Sequence, residues 1–166
     1  MDRATRSRMM SGIRGKDTLP ERQVRSALSR RGFRFRLHVK ALPGRPDLVL
    51  RKWKTVIQVQ GCFWHGHARC RYFKRPGSRK KFWREKIDAN RVRDRRALKA
   101  LEDLGWRWIV VWECALRDDP DRALRLVVAG LRRRSGCVEI RSTRRRATLV
   151  VHGRPAVRLR VDHGPA

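Results

Sequence analysis

The 166-residue chain sets 44 basic residues against 15 acidic ones, a formal charge of +29, with 40% of its residues apolar. That describes one domain with a modest core. Its charge lies far beyond the roughly 2–8 that keeps a small domain soluble, so a polyanion is needed to relieve the self-repulsion of the compact state. No apolar run approaches the ~20 residues of a membrane span, and MDRATRSRMMSGIRGKD has no signal-peptide core. A membrane protein and a secreted disulfide scaffold are thereby disfavoured.

Of the basic residues, 35 are Arg and 9 are Lys. Arg is the side chain of bidentate phosphate and guanine recognition and stacks on bases, which makes nucleic acid the expected partner. The expected location is the cytosol. There the four cysteines (Cys62, Cys70, Cys114, Cys137) read as thiols or metal ligands.

Residues 1–17 are polar and basic around Met9 and Met10, an arm expected to order on DNA. TLPERQVRSALSRRG places Thr18 and Glu21 in capping-box spacing, with Pro20 early and Gly32 as terminator, which predicts a helix over about 19–31. FRFRLHV alternates apolar and basic residues as a half-buried strand does. LPGRPD is a turn, and LVL and KTVIQVQ predict two further strands. A long helix is expected over about 79–104, with Trp83, Ile87, Asn90, Asp94, Leu98 and Leu101 on one stripe. Asn90 and Asp94 on that apolar stripe mark either a helix edge touching water or a polar site beneath the helix. WRWIVVWECAL reads as a buried strand, and Asp119 with Pro120 opens a last helix to about 133. The expected organisation is an N-terminal arm (1–17), a main domain (18–134) and an Arg-rich tail (135–166). The tail's short alternating segments suit a small β appendage or a loosely ordered extension. The element order points to an α/β fold with a mixed central sheet flanked by helices.

Three groups of residues carry chemistry. In GRPDLVL, Asp47 follows a proline at the mouth of a strand and is held in extended geometry. Pairing with the next strand would bring it beside Gln58 or Gln60. Metal-dependent nucleases use such a strand-borne carboxylate to hold Mg²⁺, a hard cation that one carboxylate, a carbonyl and substrate phosphates can satisfy. Taken alone, Asp47 reads more readily as a turn-capping residue. In GCFWHGHARC, Cys62, His67 and Cys70 have zinc-ligand spacing, and Cys114 is a natural fourth donor for a closed Cys₃His structural site. His65 is then left free, a candidate general base. Phe63, Trp64 and Trp83 lie among Arg and Lys. They either wedge between bases or pack over the metal loop.

Taken together, ATRSRMM, KDTLPE, LPGRPD, GCFWHGH, FWREKI, RDRR and LGWRWIVVWECALR, in that order over about residues 4–117, resemble the very-short-patch repair (Vsr) DNA mismatch endonucleases. The resemblance implies a restriction-endonuclease-like fold. It also implies Mg²⁺-dependent nicking of double-stranded DNA, 5′ to the thymine of a T·G mismatch left by 5-methylcytosine deamination. By motif it makes Asp47 the Mg²⁺ carboxylate, the Val59 carbonyl a further Mg²⁺ position, His65 the general base and Glu21 a supporting acid. Cys62, His67, Cys70 and Cys114 become the ligands of structural Zn²⁺. Phe63, Trp64 and Trp83, with Met10 and Asn90, become DNA-contacting residues, and Asp94 a support for the site. Mismatch-repair proteins are candidate further partners, and a monomer is expected because one nick needs one site. The chain departs from the family at Gln60, where a second catalytic histidine often stands. Glutamine neither carries positive charge nor shuttles a proton. The alternative expectation is therefore a catalytically weakened, zinc-stapled DNA-binding module.

Overall fold

The computed structural model of the chain describes residues 17–133 and 135–153. Residues 1–16 of the expected N-terminal arm, including Met10, and the end of the tail lie outside the described residues. Helix α1 (Leu19–Ser29) begins where the capping box places it: Thr18 is the N-cap, its hydroxyl bonds Glu21 Oε1 at 2.9 Å, and the Asp17 N–H donates to Glu21 Oε2 at 3.0 Å.

Strand β1 (Arg36–Leu37) is shorter than the alternation of FRFRLHV suggested. Its only partner among the described residues, β2 (Leu48–Leu50), is three residues long and offers no ladder for the rest. Phe33 and Phe35 nonetheless pack against the core. A 3₁₀ turn (Arg51–Trp53) leads into β3 (Thr55–Gln60). Helix α2 (Lys80–Asp103) follows the Cys/His loop and precedes β4 (Arg107–Trp112).

WRWIVVWECAL is not all strand. The ladder stops at Trp112, and Glu113–Asp118 forms a short helix, α3, with Cys114 in its first turn. A short buried apolar run suits either structure, and periodicity alone does not separate them. Helix α4 (Pro120–Arg132) opens on the expected proline.

The C-terminal hairpin is no separate appendage: β5 (Cys137–Thr143) pairs in parallel with β4, and β6 (Arg146–His152) closes the sheet beyond it. The sheet order is β1-β2-β3-β4-β5-β6. Its centre, β3-β4-β5, is parallel and its flanks are antiparallel, so the sheet is mixed, as expected.

The strand period of two divides the core. Leu48, Leu50, Ile57, Ile109, Val111, Val138 and Ile140 face α1, α3 and α4. Val49, Val56, Trp108, Val110 and Trp112 face the other way, onto Leu98 and Leu101 of α2. At 24 residues, α2 is about 36 Å long and outruns the sheet. Its N-terminal half therefore overhangs the loop that follows β3. No helix of the described residues is long and apolar enough to cross a membrane.

Candidate active site

Because β2 runs antiparallel to β3, the start of one strand lies beside the end of the other. Asp47, just before β2, accepts the Val59 N–H on Oδ2 at 2.7 Å, with His38 Nδ1 3.9 Å from its other oxygen. Burial pushes the Asp47 carboxyl up to about 6; the Val59 N–H opposes the shift and the charge of Glu21 adds to it. The LPGRPD turn is brought this close to α2 by Gly44. Its φ is +72°, and a Cβ there would stand 2.8 Å from that of Ala97.

Glu21 is buried beside this site. Its carboxylate takes the N-cap bonds of α1 and, at 3.0 Å, Nη2 of Arg25. Arg25 also pairs with Asp17 and reaches His38 Nε2 at 3.1 Å. Asp17, Glu21 and His38 lie close enough to hold a cation, but the guanidinium of Arg25 already supplies the positive charge among them. Sequence reasoning missed Arg25 and His38. The signal for Arg25 was its i,i+4 spacing from Glu21; nothing in the sequence links His38 to Asp47.

The loop after β3 is shaped by short-range bonds, His65 N–H to the Gly61 carbonyl and His67 N–H to that of Cys62, and is clamped from above by α2. Asp94 Oδ2 lies 2.6 Å from His65 Nδ1. With Asp94 ionised, that nitrogen carries the proton and Nε2 keeps its lone pair. Asn90, buried, donates to the Trp64 carbonyl at 2.9 Å, and Arg91 Nε donates to that of Gly66 at 2.8 Å. The two polar residues on the apolar stripe thus both hold the loop. Asn90, expected to contact DNA, spends its amide on Trp64. Gly66 has φ +59°, and a Cβ there would come within 2.5 Å of Ile87 and Arg91.

Beneath this clamp, Cys62, His67, Cys70 and Cys114 bring their donor atoms within 4.8 Å of one another. His67 Nδ1 is the nitrogen that faces inward, 3.6 Å from Cys62 Sγ and 3.4 Å from Cys114 Sγ. Interaction with Cys62, helped by His67, holds the Cys114 thiol down, while Cys114 and burial push the Cys62 thiol up. Three sulfurs and one imidazole converging in a closed pocket fit a tetrahedral, soft-ligand ion such as Zn²⁺. His65 is turned away to Asp94, and Cys137 lies apart, under the Trp108 N–H at 3.4 Å.

At the outer edge of the loop, the Phe63, Trp64 and Trp83 rings meet edge-on or tilted at 5.1–6.1 Å, and Phe82, 45% exposed, extends the cluster. Gln60, buried at the end of β3, donates its side-chain amide to Oε1 of Gln58 at 3.4 Å. One cavity of about 800 Å³ is lined by Glu21, Asp47, Val59, Gln60, Trp64, His65, Asn90 and Asp94, with Lys86, Arg45 and Arg93 also on its wall. The carboxylate, the imidazole and one aromatic thus share a basic-rimmed crevice at the C-terminal end of a parallel strand.

Residues 1–71 match the family model described as DNA mismatch endonuclease Vsr. The chain is 49% identical over 116 residues to the DNA mismatch endonuclease Vsr of Escherichia coli K12, covering 70% of this chain and 74% of that protein. It is 52% identical over 110 residues to the type II nicking enzyme V.XorIIP of Xanthomonas oryzae (66% and 80% covered). It is 46% identical over 113 residues to the type II nicking enzyme V.NmeAIP of Neisseria meningitidis (68% and 80%).

Proposed function

The chain belongs to the Vsr family of DNA mismatch endonucleases, and from that premise we propose that it nicks double-stranded DNA 5′ to the thymine of a T·G mismatch arising from 5-methylcytosine deamination. The observation that carries the reading is that Asp47 and the His65–Asp94 pair face one cavity. Asp47 and the Val59 carbonyl would hold Mg²⁺; a half-buried carboxylate beside a strand carbonyl is the hard-oxygen donor set this ion takes. When bound, Mg²⁺ stabilises the negative charge that develops in phosphodiester hydrolysis.

His65 takes a proton from the attacking water at Nε2. Asp94 fixes the tautomer that leaves this nitrogen basic, and stabilises the imidazolium that results. Glu21 caps the start of α1 on the wall of the same cavity and, paired with Arg25, serves as the supporting acid. Phe63, Trp64 and Trp83 form the wedge that enters the base stack, which a weak T·G pair opens at lower cost than a matched one. Met10 is read as a further DNA contact, and Asn90 as acting on DNA through the loop whose Trp64 carbonyl it holds.

Cys62, His67, Cys70 and Cys114 would hold Zn²⁺ and so fix the loop that carries Phe63, Trp64 and His65. The mixed sheet, with its carboxylate on one strand and Mg²⁺ carbonyl on the next, is read as restriction-endonuclease-like. A bacterial cytoplasmic enzyme acting as a monomer follows from the same reading.

Gln60 favours a second reading, a binding module without cleavage, because a buried amide replaces an imidazole at the mouth of the site. Single-turnover nicking of a T·G duplex with Mg²⁺ separates the two. The endonuclease reading expects EDTA-sensitive cleavage that His65→Ala slows by about 10²–10⁴-fold with DNA affinity unchanged. Tight binding with no cleavage by the wild type would put the binding module in its place.

A further inference from the structure

His67 is 5% exposed, and its Nε2 has no hydrogen-bond partner. Its Nδ1 faces the cysteine sulfurs. A histidine that ligates through Nδ1 carries its proton on Nε2, and that N–H in a dry site calls for an acceptor. The nearest carboxylate comes from the C-terminal hairpin, the segment with no motif of its own. Glu139 on β5 places Oε1 4.0 Å from His67 Nε2.

Glu139 is oriented toward the site by two further partners. Trp112 Nε1 donates to its Oε1 at 2.6 Å, and His152 of β6 holds Oε2 at 3.2 Å. Trp112 also stacks on the His67 ring at 4.0 Å with 5° between the planes, so the ring cannot tilt away. The same strand makes a second contact with the ligand set, since the Ser142 N–H points at Cys114 Sγ at 3.4 Å.

Resting on the reading of the Cys₃His cluster as a zinc site, we propose that Glu139 is a positioning residue for that site. It accepts the Nε2–H of His67 after a small side-chain rotation, selects the tautomer that leaves Nδ1 to the metal, and makes the C-terminal hairpin part of the metal centre.

The test is zinc affinity measured by competition with a chromophoric chelator on the full chain. Wild type, Glu139→Ala, Glu139→Gln and Glu102→Ala would be compared, all shown folded by circular dichroism. Glu102 is the matched control: it accepts from Trp108 Nε1 at 2.7 Å, away from the cluster. Glu139→Ala should weaken zinc binding by about 10–100-fold. Glu139→Gln, whose carbonyl still accepts from Nε2–H, should restore most of it, and Glu102→Ala should leave affinity unchanged. Equal zinc affinity in wild type and Glu139→Ala would overturn the proposal while leaving the zinc site standing; no zinc in the wild type would overturn both. Should Glu139→Ala not fold, ¹⁵N-edited NMR of the wild-type zinc form decides. A protonated, hydrogen-bonded Nε2 on His67 supports the proposal, and metal on Nε2 contradicts it.

Discussion

Asp47 is the residue at which stability and activity oppose each other. Burial holds its carboxyl at about 6 in the metal-free fold, above the ~3.9 of an unfolded aspartate. Between those values the folded state binds more proton than the unfolded one, so stability falls as pH rises through about 4 to 6. Above that window the ionised carboxylate is a standing penalty on the order of 2–3 kcal/mol. Asp47→Asn should therefore raise the melting temperature of the metal-free protein at pH 7.5 by about 2–6 °C, an advantage that shrinks toward pH 4, while abolishing nicking. Scanning calorimetry at the two pH values checks this, and a lower melting temperature at pH 7.5 would count against it. Protons compete with the cation for the same oxygen, so nicking should also decline below about pH 6. At His65, the partner rather than the base offers the sharper probe. Asp94→Asn should slow single-turnover cleavage by about 10²-fold with little change in DNA affinity, because the imidazole loses its fixed tautomer. Gln60→His should raise the rate if an imidazole there supports the transition state; an unchanged rate would show that Gln60 is not limiting.

At the scale of elements, the loop between β3 and α2 has little apolar reason to be ordered and is pinned instead by α2 and by the convergence of its Cys and His side chains. Gly66 is where the two meet most closely. Gly66→Ala forces a side chain into a positive-φ position already filled by Ile87 and Arg91, and should destabilise the fold by about 1–3 kcal/mol in urea titration. Stripping the metal with a strong chelator should open residues 61–79 to protease and abolish nicking, whereas Cys137→Ser, outside the cluster, should leave metal content unchanged. The loop's chemistry was legible in the sequence because ligand spacing and a polar pair on an apolar stripe are local signals. Cys62, His67 and Cys70 lie within nine residues, and Asn90 and Asp94 break a helical period. Where meaning depends on distant pairing, the sequence was silent. His38 reaches Asp47 only through the antiparallel turn between β1 and β2, and Glu139 meets His67 only because β5 joins β4. The same limit applies to Glu113–Asp118, whose run of buried residues has no period to tell helix from strand, and to the hairpin, whose alternation suggests strands but not a sheet to join.

For the whole molecule, charge governs encounter and geometry governs outcome. A chain of formal charge +29 that binds DNA through several phosphates releases counterions, so its affinity should fall steeply with salt. A log–log slope of about −5 or steeper is expected for matched and mismatched duplexes alike. A shallow slope measured by fluorescence anisotropy would mean that the basic surface is not the DNA-binding surface. Mismatch recognition should depend instead on the aromatic cluster: Trp83→Ala should reduce the preference for T·G over T·A while leaving the salt slope nearly unchanged. The measurement that bears most directly on the central claim is a strand-specific nicking assay. It would use end-labelled duplexes carrying T·G, T·A or C·G at one position, with Mg²⁺, wild type beside Asp47→Ala, and several flanking sequences. One cut is expected, 5′ to the thymine of the T·G duplex, absent from the matched duplexes and from the variant. Binding without a cut on any T·G duplex, or cleavage that survives Asp47→Ala, would contradict it.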